Sequence, residues 1–136
     1  MIYSVDVQIT APVNPTEVTD RVADAIHNLF PEAEIESHPG ELLATCHTVD
    51  RFSELLHEQA ILDTARGQFF AGQEGDTFTF ELKKQAAFRD RVNFAVGSGS
   101  ELGELVVHVR VNEPDVESFI DHIAPPTEDG RPVDVK

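Results

Sequence analysis

The chain has 136 residues, with 10 Lys and Arg against 25 Asp and Glu, so its formal net charge is −15. At 40% hydrophobic residues with nine Phe it can bury a core, which excludes a disordered acidic tail, and no apolar run approaches the roughly 20 residues of a membrane span. The length suits one domain, no charged-then-apolar leader opens it, and a lone cysteine, Cys46, fits a reducing cytoplasm.

Residues 2–11 alternate, with Tyr3, Val5, Val7, Ile9 and Ala11 on one face and Ser4, Asp6, Gln8 and Thr10 on the other. That is the pattern of a strand with one buried face. Asn14-Pro15-Thr16-Glu17 predicts a helix start, with Asn14 as the cap, Pro15 in the first turn and Glu17 reaching back. Val18, Val22, Ala25, Ile26 and Leu29 form its apolar stripe, and Pro31 ends it. Residues 33–38 and 41–48 read as a hairpin about Pro39-Gly40. A second helix is predicted over 50–70, capped by Asp50 and followed by Gly72.

Residues 76–83 alternate again, with Phe78, Phe80 and Leu82 inward and Thr77, Thr79, Glu81 and Lys83 outward. A short strand at 92–96, a turn at 97–100 and a strand at 104–111 follow, the last with Leu105, Val107, Val109 and Val111 on one face. A final helix over 114–123 buries Val116, Phe119, Ile120 and Ile123, and a Pro/Gly-rich tail runs from Ala124. One-sided strands of this kind predict a single α+β domain over 1–136: a mainly antiparallel sheet with helices packed on one face.

The charge is unevenly placed. Residues 1–60 carry net −9 and residues 111–136 net −5, but residues 61–110 carry only −1. Within that middle, Lys83-Lys84-Gln85-Ala86-Ala87-Phe88-Arg89-Asp90-Arg91 has four bases to one acid. Arg and Lys there can position a nucleic-acid backbone and Gln85 can hydrogen-bond, while the plainer reading is a solvated loop offsetting nearby acids. Elsewhere the acids are scattered. An excess of Asp and Glu with only three Lys suits a salt-filled cytoplasm, where the Debye length falls to about 3 Å and repulsion is screened.

The helix at 50–70 carries an anomaly. At 100° per residue Phe52, Leu55, Leu56, Leu62, Phe69 and Phe70 share one side, yet Gln59, Asp63 and Arg66 fall in the same arc and Ile61 points away. Asp63 and Arg66 are spaced to pair. The stripe reads as a buried polar network, or as a site whose Arg66 end meets phosphate or another anion. Outward-facing Ile61 hints at a subunit contact.

Other chemistry is weakly supported. The six His (27, 38, 47, 57, 108 and 122) are scattered without a metal-binding spacing. Adjacent Cys46 and His47 in a strand point to opposite faces, against a Cys/His nucleophile. No dinucleotide or Walker glycine pattern is complete. The outward sheet face, with Thr77, Thr79, Glu81, Lys83, His108 and Arg110, has no aromatic stripe for stacked bases. No metal or cofactor is expected.

Several motifs together resemble a small archaeal family described as RNA-binding. They are Ala11 to Glu17 with Phe30-Pro31, Gln59 to Arg66, Leu82 to Ala87, Leu102-Gly103-Glu104-Leu105, and Ile123 to Val133. The resemblance spans nearly the whole chain. It implies a fold similar to the ribosomal large-subunit protein that holds 5S ribosomal RNA, a homodimer, and no enzymatic activity. The leading expectation is a cytoplasmic, non-enzymatic RNA-binding or ribosome-associated protein whose partner is structured RNA, with contacts at Arg66, Lys83, Lys84, Gln85, Arg89 and Arg91. The alternatives are a dimeric scaffold without RNA affinity, and a small-ligand protein or enzyme built on Gln59, Asp63 and Arg66.

Overall fold

The alternation at the N-terminus marks the centre of the sheet. In the computed structural model, which describes residues 3–95, 104–128 and 131–132, strand β1 (Ser4–Pro12) buries Val5, Val7, Ile9 and Ala11 and exposes Ser4, Asp6 and Gln8. The turn expected at 97–100 lies outside the described residues.

After helix α1 (Thr19–Leu29), strands β2 (Glu34–His38) and β3 (Glu41–Cys46) form the expected hairpin, with Gly40 at φ +79° in its two-residue turn. That left-handed angle is why glycine follows Pro39 there. Helices α2 (Asp50–Glu58) and α3 (Leu62–Ala71) lead to strands β4 (Gln73–Glu74) and β5 (Thr77–Lys83). A short helix α4 (Lys84–Ala87), strand β6 (Glu104–Glu113) and helix α5 (Val116–Ile123) follow, and β7 (Thr127–Glu128) pairs with β8 (Arg131–Pro132) in a separate ribbon.

The main sheet is antiparallel throughout, in the order β2-β3-β1-β6-β5-β4. Its strands bury alternate residues, so one face packs on the helices and the other meets water. Phe52 and Phe69, from α2 and α3, lie 5.4 and 4.8 Å from the ring of Phe80 on β5, and Phe30 stacks on Phe52 at 5.3 Å. Phe119 and Ile120 from α5 complete the buried layer. The α+β architecture is therefore as expected.

Several local expectations are corrected. First, α1 begins at Thr19, not in the Asn14–Pro15 region, and Val18 is 61% exposed. Glu17 does reach back, its Oε1 accepting from the Asn14 backbone and side-chain N–H at 3.0 Å each, but this closes a separate turn before the helix. Second, the helix at 50–70 is two helices. Ala60 is left-handed at φ +56°, the Ala60 N–H donates to the His57 carbonyl and the Ile61 N–H to the Leu56 carbonyl, both at 3.1 Å. This pair of bonds is a Schellman closure. It turns Ile61 back against the core instead of outward. Asp50 does not cap α2; the Thr48 hydroxyl accepts from the Asp50 N–H at 3.2 Å.

Third, the described part of the strand expected at 92–96, residues 92–95, pairs with β5 through a single bridge, Phe94 to Leu82, and two backbone hydrogen bonds rather than as a full strand. Fourth, α5 starts at Val116 with Asp115 as its cap, accepting from the Ser118 N–H at 2.8 Å. Gly72 does follow α3, for a reason of space: a Cβ there would sit 1.9 Å from the Thr79 carbonyl oxygen.

Candidate nucleic-acid interface

The parity of β5 decides where its C-terminal bases go. Phe78, Phe80 and Leu82 are buried, so Lys83 points out and the next side chain, Lys84, turns in. Lys84 is fully buried at 0% exposure. Its ammonium donates to the Pro12 carbonyl and, at 2.9 Å, to Glu17 Oε1, whose side chain is 7% exposed. Burial pushes the Glu17 carboxyl up, but the Asn14 N–H bond and the Lys84 ammonium outweigh it and hold the group below its ordinary value. Lys84 is thus placed in the core, paired with Glu17, and not on the surface where an RNA contact would have to be.

From Lys84 the chain makes one helical turn and closes on itself. Arg91 N–H donates to the Ala86 carbonyl at 3.0 Å and Asp90 N–H to the Ala87 carbonyl at 3.2 Å, with Asp90 left-handed at φ +58°. This is a second Schellman closure, built on an Asp that tolerates the conformation. It leaves Gln85, Arg89 and Arg91 exposed beside Lys83. Among the described residues Lys83, Arg89 and Arg91 form no ion pair, whereas Arg51, Arg66 and Lys84 do.

The closure is fixed at both ends. Asn28 of α1 donates from Nδ2 to the Ala87 carbonyl at 2.9 Å. Gln59, the last residue of the α2 turn, donates to the Val92 carbonyl at 2.9 Å and accepts from the Val92 N–H at 2.7 Å. The chain then runs back along β5, with Lys83 N–H donating to the Asn93 carbonyl at 2.8 Å.

The Gln59-Asp63-Arg66 stripe does not form one network. The break at Ala60 separates Gln59 from α3. Asp63 accepts from the Thr127 hydroxyl. Arg66 pairs with Asp121 at 2.7 Å, donates to the Ala124 carbonyl at 2.9 Å and lies 5.2 Å from the Phe70 ring centroid. Asp63 and Arg66 do not pair; each ties α3 to the chain around α5. Arg66 is therefore engaged at the end of α5.

Sequence reading passed over Arg21. Its guanidinium carbon lies 5.9 Å from the Phe88 ring centroid, so α1 adds an arginine to the closure. The available signal was scarcity: Arg21 and Arg51 are the two bases in residues 1–60. Among the described residues no group of three or more His, Cys, Asp or Glu is placed to hold a metal ion, and no helix is long and apolar enough to cross a membrane.

A family model described as RNA binding matches residues 6–112, which includes the whole 83–91 closure. A UPF0200/UPF0201 protein of Archaeoglobus fulgidus is 44% identical over 96% of this chain, and the chain spans 40% of that longer relative. The UPF0201 protein of Methanopyrus kandleri is 40% identical over 93% of this chain and 89% of its own length. A crystal structure of a UPF0201 protein from Methanococcus jannaschii superposes with a TM-score of 0.88 at 35% identity, covering 95% of this chain and 99% of the other. The chain belongs to the archaeal UPF0201 family, whose matching family model carries the description RNA binding.

Proposed function

We propose that this protein is a non-enzymatic RNA-binding protein of the cytoplasm, associated with structured RNA and adapted to high salt. The observation that carries the reading is the set of exposed bases Lys83, Arg89 and Arg91, without ion pairs among the described residues, on one turn of a chain whose net charge is −15. Arg51, Arg66 and Lys84 are held in ion pairs, whereas these three are available to phosphate. Gln85 beside them supplies a hydrogen-bonding amide. In this reading the contacts are Lys83, Gln85, Arg89 and Arg91, since Lys84 is buried against Glu17 and Arg66 pairs with Asp121. In molar salt, counterion release contributes little, so shape fit and Arg hydrogen bonds carry the affinity. The resemblance to the ribosomal protein that holds 5S ribosomal RNA, and the homodimer it implies, belong to the same reading.

The test is a titration of a structured RNA, such as 5S ribosomal RNA, in molar potassium chloride, with sedimentation of the free protein alongside. Wild type is expected to bind, and the triple variant Lys83→Glu, Arg89→Glu, Arg91→Glu to lose binding while keeping its melting temperature. Equal binding by both proteins removes the assignment of these residues. A monomer in sedimentation removes the dimer.

A further inference from the structure

Between α1 and the closure that follows α4 lies an open cleft of about 400 Å³, lined by Arg21, Asp24, His27, Asn28, Phe88 and Asp90. One wall sets the Arg21 guanidinium over the Phe88 ring, 5.9 Å from its centroid. Its groups are held open. Among the described residues Arg21 forms no ion pair, although Asp24 and Asp90 line the same cleft, and neither carboxylate accepts a hydrogen bond. Its geometry is maintained from two sides, by Asn28 on the Ala87 carbonyl and by the left-handed Asp90 backbone.

We propose that this cleft takes one unpaired guanine base of a bound RNA; the proposal rests on the RNA-binding reading and names what that surface selects. Unpaired bases are recognised by stacking on aromatic or guanidinium planes and by hydrogen bonds to their Watson–Crick edge. The Arg21 guanidinium and the Phe88 ring, which both line the cleft, each offer such a plane. An ionised carboxylate only accepts. Guanine alone among the four bases presents two adjacent donors, N1–H and the N2 amino group, which match the two oxygens of one carboxylate. Adenine and cytosine set a ring-nitrogen acceptor beside their amino group, and uracil flanks its single N–H with carbonyls. Each would put a lone pair against Asp24 or Asp90 and be rejected by repulsion. Arg89 and Arg91 flank Asp90 in sequence and are exposed, in position for the phosphates on either side of the base.

The experiment compares three hairpin RNAs that differ only at one loop nucleotide, G, A or U, titrated into the full chain in molar potassium chloride. The G hairpin is expected to bind at least about fivefold more tightly, the low end of what one bidentate base contact discriminates. The variant Asp24→Asn with Asp90→Asn should bind all three equally, since both residues are exposed and Asn also tolerates the left-handed region. Arg21→Ala should weaken all three. RNA binding with no preference for G overturns the guanine assignment and leaves the RNA reading standing. No binding of any hairpin overturns the RNA reading; guanosine and adenosine monophosphates are then titrated and followed by amide chemical shifts. Shifts at Arg21, Asp24 and Phe88 with the guanosine nucleotide alone retain the cleft assignment, and their absence overturns it.

Discussion

Lys84 on α4 and Glu17 before α1, 67 residues apart in sequence, meet at 2.9 Å with the lysine side chain fully buried. The pair joins the end of β5 to the entry of α1, and the Pro12 carbonyl takes a further ammonium proton. Removing one partner leaves an uncompensated buried charge, which costs about 3–5 kcal/mol, whereas replacing both by apolar residues is often near neutral. Lys84→Met is therefore expected to lower stability by about 3–5 kcal/mol in denaturant titrations, and Lys84→Met combined with Glu17→Leu to recover most of that loss. A single Lys84→Met within about 0.5 kcal/mol of wild type would show that the pair is not coupled to folding. Any loss of RNA affinity in Lys84 variants then reports on the fold.

The same pair sets a pH dependence. The folded Glu17 carboxyl titrates below its ordinary value, so the unfolded chain takes up this proton first as pH falls. Its contribution is complete above the unfolded value of about 4.3 and disappears as pH drops through the folded value. In melts at molar salt, the stability gap between wild type and Glu17→Gln should be constant from pH 7 to about 5 and shrink below it. A gap that stays the same down to pH 3 contradicts the assignment.

Much of the sheet was legible because a strand of period two needs only its own residues. Val5, Val7 and Ile9 on β1, and Phe78, Phe80 and Leu82 on β5, are buried as their alternation implies. Continuing that parity one step past Lys83 also puts Lys84 inside, a signal masked by the habit of reading consecutive bases as a surface patch. Its partner was not legible: nothing near Lys84 points to Glu17. The helix break was missed because the 3.6-residue period runs on across Ala60, and the left-handed residue is alanine where the usual marker is glycine. The cleft on Arg21 and Phe88 is likewise tertiary, made by α1 crossing a turn far away in sequence.

That alanine makes a third prediction. Holding an L-residue in the left-handed region costs about 1–2 kcal/mol, and glycine escapes this at the expense of greater freedom in the unfolded chain. Ala60→Gly is expected to stabilise the protein by about 0.5–1 kcal/mol, read as a higher denaturant midpoint at unchanged slope. Gly40→Ala, at φ +79° in the hairpin turn, should move the midpoint the other way. A destabilised Ala60→Gly would mean that the Cβ makes contacts worth more than the strain.

Gln59 carries the last prediction, because its side-chain amide treats Val92 as a neighbouring strand would, donating to the carbonyl and accepting from the N–H at 2.9 and 2.7 Å. Val92 is buried, so both of its backbone groups depend on this one side chain. Gln59→Leu strips both partners at an expected cost of about 2–3 kcal/mol. Gln59→Glu keeps an acceptor for the N–H but turns a carboxylate oxygen toward the Val92 carbonyl, and should also destabilise, by a smaller amount that shrinks as pH falls and the carboxyl regains a donor. Hydrogen exchange at the Val92 amide checks the mechanism directly. It should accelerate strongly in Gln59→Leu and less in Gln59→Glu; equal protection in all three proteins would mean that Val92 is held by something other than Gln59. Since Val92 directly follows Arg91, loosening it also frees the closure, so Gln59→Leu is expected to weaken RNA binding without touching a basic residue.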